Sequence, residues 1–519
     1  MDTEGVMKFS FVAISLSLSL VRSTRSRTQQ PWDPLSSVFT GQGAVVNVGA
    51  TKSSASAASD VYNAGPFIPL GSLSAISSAE FTILEHPLFP RHSVRIKQSN
   101  FCDGTVSAYT GYIDIEARHL FFYLFESRDD PDKDDVIFWT NGGPGGSSAM
   151  GLFMELGPCN IVDADNVAFN PYSWNEHANI FFIDQPIGVG FSYAEYGETV
   201  DNSVDAGRDI AAFTAIFFEH FTKFKGRAFH LAGESYGGRY LPVFATEVYE
   251  LNAKLLEAGL TPVNLSSVMI GNGCTHFPSM TSSYYNMQCQ NISGPPVQNI
   301  QTCVTMKQGV PRCEKMLESC VDAFNPIDCM AATAFCEALL WEPYLATGYN
   351  PYDITTLCDG PFEDTLCYPA FDDVQTFLNR ADVQFTLGID EAVKNYSMRS
   401  DRVGIDFDQR QDKMFPTQYY IEGLLERGMR VLIYVGANDW ICNWVGNERM
   451  TLSLDWTGRD EFIAQPLREW EVEGIPAGLT RSAGPLTFAT IFGAGHLAPH
   501  NKPKESLELV KRWLAKEDF

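Results

Sequence analysis

Several features that mark other protein classes are scarce or missing in this sequence. Its 519 residues carry 37 Lys and Arg against 63 Asp and Glu, a net charge of -26. Because no basic patch is present to attract phosphates, we exclude nucleic acid as a partner. Beyond the N-terminal segment, no run is long and apolar enough to cross a bilayer. We therefore expect no membrane attachment in the mature form.

The twelve cysteines lack the spacing of a metal site. They include no C-x-x-C pair, and the spacings within residues 313–336 do not resemble a zinc site. We predict no metal and no cofactor. Eight of the cysteines lie between Cys289 and Cys367, which favours disulfides formed in an oxidising compartment.

The N-terminus resembles a secretory leader. Lys8 precedes an apolar segment at residues 9–21, which predicts a signal peptide at residues 1–22; the alternative is a buried N-terminal strand or helix. Residues 23–95 are rich in Ser, Ala, Thr and Gly and show little periodicity. We interpret them as a flexible leader or removable pro-segment; the alternative is a disordered tail that stays attached.

Three Asn-x-Ser sequons are consistent with the same route. They begin at Asn264, Asn291 and Asn395 and are predicted glycosylation sites. The sequence thus predicts the secretory pathway, ending in a vacuole, a lysosome-like compartment or the extracellular space.

Apolar runs of strand length alternate with helical patterns along most of the chain. The predicted strands include residues 119–125, 135–140, 178–184, 229–232, 267–271, 429–435 and 486–492, and the predicted helices residues 205–221, 239–256 and 507–514. Such alternation predicts an α/β fold with a mostly parallel central sheet. We assign the core to residues 96–274 and 411–519. The cysteine-rich residues 275–410 are predicted to be a disulfide-rich insertion, a lid beside the active site.

A nucleophile elbow is predicted at Gly233-Glu234-Ser235-Tyr236-Gly237. This G-x-S-x-G sequence follows a predicted strand and precedes a predicted helix, the arrangement of an α/β-hydrolase. A serine hydroxyl is a poor nucleophile until a base can reach it, so it must be exposed at a sharp turn. The alternative is a glycine-rich turn that happens to contain a serine.

The predicted base and its orienting acid follow in the order that this fold requires. Asp439 and His496 each lie just past a predicted strand, where open α/β sheets present their sites. We predict a catalytic triad of Ser235, Asp439 and His496. A lone histidine is more often structural, and Asp439 could instead be a turn residue or a helix N-cap.

The tetrahedral intermediate of such a reaction needs backbone donors for its oxyanion. The N–H group of Tyr236, the residue after the nucleophile, is one candidate. The glycine-rich loop after the strand at residues 135–140 offers the other, which we assign to Gly143. The alternative for this loop is a simple tight turn.

Together these motifs resemble the serine carboxypeptidase family over roughly residues 105–519. The motifs are Asn-Gly-Gly-Pro-Gly at 141–145, Asp-Gln-Pro at 184–186, Gly-Phe-Ser-Tyr at 190–193, Gly-Glu-Ser-Tyr-Gly-Gly at 233–238, Ile-Gly-Asn-Gly at 270–273, Gly-Ala-Asn-Asp at 436–439 and Gly-Ala-Gly-His at 493–496. Tyr-Thr-Gly-Tyr at 109–112 and Phe-Glu-Ser-Arg at 125–128 are especially similar to the carboxypeptidase Y branch. The resemblance implies a serine peptidase that removes C-terminal residues of peptides and proteins through an acyl-enzyme.

The resemblance also implies a site for the substrate's terminal carboxylate. Asn141 and the backbone of Gly142 would bind it, beside a carboxyl pair formed by Glu155 and Glu234. Two adjacent acids cannot both ionise cheaply, so one stays protonated and can donate a hydrogen bond. This predicts an acidic pH optimum. The family's pocket positions fall on apolar or aromatic residues, which suggests a preference for hydrophobic terminal residues: Trp139, Met154, Tyr236, Tyr352, Tyr368, Phe371 and, after the histidine, Leu497.

Cysteine pairing is likewise implied by the resemblance. The implied pairs are Cys289–Cys303, Cys313–Cys336, Cys320–Cys329 and Cys358–Cys367. Cys442 corresponds to a free thiol near the active site, and Cys102, Cys159 and Cys274 have no assigned partner. One family disulfide is missing here, because Gly146 stands at one of its positions and no cysteine lies near Met398 and Arg399.

Two other functions remain open at this point. A relative of this kind can pass its acyl group to an alcohol rather than to water, as an acyltransferase. A non-catalytic binding or chaperone protein could also use the scaffold, although the intact triad argues against it. A monomer and a homodimer are both compatible with the sequence.

Overall fold

The computed structural model describes residues 67–519, except for the side chains of residues 323, 363 and 364. The predicted signal peptide and the leader up to residue 66 lie outside the described residues. Within the described part, no helix is long and apolar enough to cross a membrane.

A 13-stranded sheet organises the described residues, with two small two-stranded sheets beside it. The strands are β1 (Thr82–Glu85), β2 (His92–Ser99), β3 (Ala108–Ile115), β4 (Arg118–Phe125), β5 (Asp135–Thr140), β6 (Cys159–Asp163), β7 (Asn166–Phe169), β8 (Ala178–Ile183), β9 (Tyr193–Ala194), β10 (Phe229–Glu234), β11 (Leu265–Gly271), β12 (Tyr349–Asn350), β13 (Asp353–Leu357), β14 (Arg430–Gly436), β15 (Arg468–Val472), β16 (Ile475–Ala483) and β17 (Leu486–Ile491).

The centre of the large sheet is parallel and its edges are antiparallel. Strands β8, β5, β10, β11, β14 and β17 pair in parallel in that order. Antiparallel pairs add β4, β3, β2 and β1 at one edge and β16 and β15 at the other. The predicted α/β fold with a mostly parallel central sheet is confirmed. Parallel strands end at the same edge of a sheet, so the loops after them can build one site.

Helices cover the sheet and form most of the insertion. They are α1 (Ser203–His220), α2 (Gly237–Glu257), α3 (Phe277–Cys289), α4 (Ile300–Ala323), α5 (Pro326–Cys336), α6 (Glu342–Leu345), α7 (Phe362–Thr365), α8 (Ala370–Leu378), α9 (Ala381–Leu387), α10 (Asp401–Arg410), α11 (Gln418–Glu426), α12 (Trp444–Ser453), α13 (Arg459–Ala464), α14 (Ala498–Asn501) and α15 (Pro503–Ala515).

Each face of the sheet supports its own hydrophobic core. Along β5, Val136 and Phe138 belong to one core, while Ile137 and Trp139 belong to the other, because successive strand side chains point to opposite faces. The first core includes α1 and α2, and the second includes α15. A third core lies in the insertion and includes the disulfide cysteines of α4 and α5.

Order begins earlier in the chain than the sequence predicted. We interpreted residues up to 95 as a leader, yet β1 and the first half of β2 lie within that range and extend the sheet. In β2 only Val94, Ile96 and Ser99 are buried, so the strand has too few apolar positions to stand out among polar residues. The predicted insertion at 275–410 contains no strand of the large sheet in the described structure.

Six disulfides join all twelve cysteines. Four are the pairs that the resemblance implied: Cys289–Cys303, Cys313–Cys336, Cys320–Cys329 and Cys358–Cys367. The other two are Cys102–Cys159 and Cys274–Cys442. The expected free thiol at Cys442 is therefore wrong, because Cys274, at the start of the insertion, provides its partner. The sequon residues Asn264, Asn291 and Asn395 are all exposed.

Candidate active site

Ser235 lies in a strained turn between β10 and α2. Its φ is 60°, a left-handed conformation that is uncommon for a residue with a side chain. Its N–H group donates to the carbonyl oxygens of Gly271 and Asn272, each at 3.1 Å. A Cβ on Gly233 would lie 2.3 Å from the Thr140 carbonyl oxygen, so a glycine is required there. The predicted nucleophile elbow is present.

The second glycine that the elbow requires is Gly238 rather than Gly237. A Cβ on Gly237 would meet nothing closer than 3.4 Å, whereas one on Gly238 would lie 2.5 Å from Thr275 Oγ1 and 3.0 Å from Gly273 Cα. Helix α2 therefore packs against the segment after β11 through Gly238.

His496 and Asp439 form a buried pair beside the serine. His496 Nδ1 lies 2.8 Å from Asp439 Oδ2, and the Asp439 side chain is fully buried. A carboxylate can only accept, so the Nδ1 atom donates to Asp439, as the predicted triad requires. Ser235 and His496 line the same cavity.

Asn272 is a site residue to which the sequence analysis gave no role. Its Nδ2 donates to Asp439 Oδ2 at 2.8 Å and to the Gly495 carbonyl oxygen at 3.3 Å, while its Oδ1 accepts from Gly436 N at 3.2 Å. Asn272 thereby links the ends of β11, β14 and β17 and fixes the orientation of the Asp439 carboxylate. Its position directly after β11, within Ile-Gly-Asn-Gly, was the available signal.

The glycine-rich loop after β5 packs against the elbow. A Cβ on Gly142 would lie 2.3 Å from Tyr236 N, so the loop and the start of α2 can approach this closely only because Gly142 has no side chain. Gly143 has a φ of 116°. The two predicted oxyanion donors, Gly143 and Tyr236, are thus on backbone segments in direct contact.

Asn141 connects a pair of buried acids. Its Nδ2 donates to Glu234 Oε1 at 2.8 Å and to Glu155 Oε1 at 3.2 Å. Its Oδ1 accepts from Trp139 Nε1 at 2.8 Å and from Gly151 N at 2.9 Å, which fixes the amide orientation. All four predicted carboxylate-site residues therefore lie at the carboxyl ends of β5 and β10 or beside them.

Burial makes this acid pair retain protons. Burial raises the pKa of Glu155 to about 7, and burial together with the Glu155 charge raises the pKa of Glu234 well above its ordinary value. At acidic pH the pair is therefore protonated, and a protonated carboxyl can donate a hydrogen bond.

A cavity of about 220 Å³ is lined by Ser235, Asn141 and Glu234. Most of its wall is apolar, and it includes five of the predicted pocket residues: Met154, Tyr352, Tyr368, Phe371 and Leu497. The predicted pocket residue Trp139 does not line it. The Trp139 side chain is fully buried, and its Nε1 donates a hydrogen bond to Asn141 Oδ1.

A second cavity of about 270 Å³ lies across the glycine loop. Both cavities include Gly143, Pro144 and Ile441. The second also contains Tyr236, another of the predicted pocket residues, which does not line the first. The sequence analysis did not predict this cavity, because its wall combines side chains from many distant segments.

Backbone pairing replaces the missing family disulfide. Gly146 forms an antiparallel bridge with Arg399, Ser147 N donates to the Met398 carbonyl oxygen at 2.9 Å, and Ser400 N donates to the Gly145 carbonyl oxygen at 2.8 Å. The loop after β5 is therefore held to the insertion without a covalent bond.

Buried Asp184 supports the same loop. Its Oδ1 accepts from Ser147 Oγ at 2.5 Å and from Ser148 N at 3.1 Å, and Ser147 Oγ also accepts from the Tyr396 hydroxyl at 2.7 Å. Burial raises the pKa of Asp184 to about 6.

Comparison with known proteins agrees with this geometry. Residues 100–516 match the serine carboxypeptidase family. Carboxypeptidase Y from Candida albicans is 40% identical over 431 residues, which are 82% of this chain and 77% of that protein. Carboxypeptidase Y homolog A from Botryotinia fuckeliana is 40% identical over 425 residues, 81% of this chain and 75% of that protein.

A solved structure shares the fold. The crystal structure of a prohormone-processing carboxypeptidase from Saccharomyces cerevisiae has a TM-score of 0.68 and 23% identity, and the match covers 79% of this chain and 92% of that one. The family match extends over most of the chain and includes every strand end that carries a predicted catalytic residue. The chain therefore belongs to the serine carboxypeptidase family and is a serine-type carboxypeptidase.

Proposed function

We propose that the protein releases C-terminal residues through an acyl-enzyme on Ser235. His496 takes the proton from the serine hydroxyl as Oγ attacks the scissile carbonyl carbon, and Asp439 stabilises the resulting imidazolium. The N–H groups of Gly143 and Tyr236 bind the oxyanion. His496 then protonates the leaving amine, and water hydrolyses the ester. The observation that carries this proposal is that Ser235, His496 and Glu234 border one cavity.

The acid pair gives the enzyme its specificity for a free C-terminus. The substrate carboxylate would lie against Asn141 and the backbone of Gly142 and accept a hydrogen bond from the protonated pair. Both Glu155 and Glu234 have raised pKa values, so at low pH both are protonated and one can donate to the substrate carboxylate. As pH rises through about 7, Glu155 ionises. Its charge would hold the proton that remains on Glu234 and repel the substrate carboxylate. We therefore expect the best peptidase activity at acidic pH.

The released residue would occupy the first cavity. Its wall includes Met154, Tyr352, Tyr368, Phe371 and Leu497, and burying an apolar side chain there is favourable. This supports a preference for hydrophobic C-terminal residues.

The route to the site of action follows from the disulfides. Six disulfides suit an oxidising compartment, and the three sequon residues are exposed to modification. We propose that the chain enters the secretory pathway as a glycosylated precursor with a removable leader, and acts in a vacuole-like or extracellular compartment.

A serine-reactive probe combined with a release assay tests the mechanism. At pH 5 we expect a fluorophosphonate to label the wild-type protein and an N-blocked dipeptide to release its last residue. The Ser235→Ala variant should do neither, while exposed Ser453→Ala should do both. Labelling without release, with the acyl group transferred to an added alcohol, would indicate an acyltransferase instead. Absence of labelling would contradict the catalytic proposal.

A further inference from the structure

The second cavity is lined by a buried cation, Arg239, whose Nε atom has no hydrogen-bond partner among the described residues. Arg239 is 1% exposed and lines this cavity. Its Nη1 donates to the Thr275 carbonyl oxygen at 3.0 Å, and its Nη2 donates to the carbonyl oxygens of Asp412, at 2.6 Å, and Phe415. Its Nε is buried and has no hydrogen-bond partner among the described residues. A buried charge normally requires a charged partner and full hydrogen bonding. Within residues 67–519, Arg239 forms no ion pair and its Nε is unpaired.

The acids around the cavity are bound to other groups. Asp412 Oδ1 accepts from Ser203 N at 3.1 Å, and its Oδ2 accepts from Ser203 Oγ at 2.8 Å and from the Tyr236 hydroxyl at 2.7 Å. Lys413 lies 2.8 Å from Asp408 and 3.7 Å from Glu337. None of the hydrogen bonds of Arg239 in residues 67–519 is to a carboxylate.

A neighbouring histidine, His276, adds no second positive charge beside Arg239. Burial, and secondly the Arg239 charge, lower the pKa of His276 to about 4. His276 is therefore neutral at the working pH and adds no second cation. Lys413 also lines the cavity but is paired with Asp408, so among the described residues Arg239 is the lining cation without a carboxylate partner.

The position of the cavity assigns it to one side of the scissile bond. The carboxylate site and the pocket for the released residue lie in the first cavity, with Asn141 and Glu234. The second cavity lies beyond Gly143 and adjoins Tyr236, the other oxyanion donor. A substrate with its scissile carbonyl at these donors would extend its acyl side into the second cavity. The remaining wall there is largely apolar and includes Phe277, Tyr284, Trp341, Phe407 and Ile441.

We propose that Arg239 makes this cavity select substrates whose residue before the scissile bond is glutamate. The methylene groups of a glutamate side chain would pack on the aromatic wall, and its carboxylate would accept from the unused guanidinium donor. Arg239 is then a specificity-determining residue. The inference rests on the proposed carboxypeptidase function and adds the substrate class to it.

Three N-blocked dipeptides with a C-terminal leucine test this proposal. They carry Glu, Gln or Met before the scissile bond, which are similar in size and differ in charge and hydrogen bonding. At pH 5.5, above the ordinary glutamate pKa of about 4.3, we expect kcat/KM for Glu to exceed that for Gln about tenfold. In the Arg239→Met variant this ratio should fall about tenfold. The value of kcat/KM for the substrate with Met before the scissile bond should change less than threefold. Arg239→Lys should keep part of the preference.

The outcomes separate this inference from the proposed function. Release of leucine after Met but not preferentially after Glu would overturn the role of Arg239 and leave the carboxypeptidase intact. Release from none of the three substrates would overturn both. If Arg239→Met does not fold, the wild-type protein provides the test. The ratio of kcat/KM for the Glu substrate to kcat/KM for the Gln substrate is then measured from pH 3.5 to pH 6. A ratio that rises as the glutamate side chain ionises supports the proposal, and a flat ratio contradicts it.

Discussion

At the scale of single residues, the site depends on buried amides that fix the reacting groups. Asn272 holds the Asp439 carboxylate, and Asn141 holds Glu155 and Glu234. Neither amide is itself expected to exchange a proton. Both determine where a charged or protonated carboxyl points, and a carboxyl that is free to rotate would orient neither the base nor the substrate.

Replacing Asn272 by Ala should lower kcat more than it changes KM. The variant loses a hydrogen bond to the charged Asp439, which contributes about 1.5–3 kcal/mol, so we expect a loss of about tenfold to a hundredfold in kcat. Steady-state kinetics on a good dipeptide substrate measure this, with exposed Asn166→Ala as the matched control. A raised KM with an unchanged kcat would show that Asn272 acts on binding instead.

At the scale of elements, five parallel strand ends build the site. Asn141 follows β5, Ser235 follows β10, Asn272 follows β11, and Asp439 and His496 follow β14 and β17 within a few residues. The loops after these strands can meet because glycines remove the side chains that would hold them apart.

The two glycines that follow Tyr236 should respond differently to substitution. Gly238→Ala puts a Cβ 2.5 Å from Thr275 Oγ1 and 3.0 Å from the backbone at Gly273, so α2 must shift. We expect a loss of stability of about 1–3 kcal/mol and a large loss of activity. Gly237→Ala meets only a contact at 3.4 Å and should be tolerated. Thermal melts of both variants measure the difference, and equal melting temperatures would contradict the packing described.

The sequence predicted elements well where pattern and motif coincided. Buried strands such as β5 and β8 are continuous apolar runs, and the elbow has a defined glycine and serine spacing, so both were predicted correctly. Strand β2 was missed because only Val94, Ile96 and Ser99 of its residues are buried, so its apolar pattern is weak. The Cys274–Cys442 disulfide spans 168 residues, and no local signal in the sequence connects its ends. The second cavity was missed because its wall likewise combines residues that lie far apart in the sequence.

At the scale of the whole molecule, buried acids should make stability depend on pH. Burial raises the pKa of Asp184 to about 6 and that of Glu155 to about 7. The unfolded chain therefore loses these protons first as pH rises, and stability falls between about pH 4 and pH 7. Asp103 and Asp114 have lowered pKa values, so their ionised forms stabilise the folded protein. This stabilisation is lost when they are protonated at still lower pH.

We predict that the melting temperature is highest near pH 4–5 and falls toward pH 7. Two pKa shifts of this size together lower the free energy of unfolding by several kcal/mol between pH 4 and pH 7, at about 1.4 kcal/mol for each pKa unit. In Asp184→Asn the fall between pH 4 and pH 6 should be smaller than in the wild type, while exposed Asp129→Asn should match the wild type. A melting temperature that rises from pH 4 to pH 7 would be inconsistent with buried, protonated acids.

The central claim is that a protonated Glu155–Glu234 pair recognises the substrate's free carboxylate. The most direct measurement is kcat/KM for one N-blocked dipeptide, as the free acid and as the amide, from pH 4 to pH 8. We predict a strong preference for the acid at pH 4–5 that declines as pH rises through about 7, where Glu155 loses its proton. A preference that stays constant across this range, or equal cleavage of acid and amide at pH 4, would contradict the account.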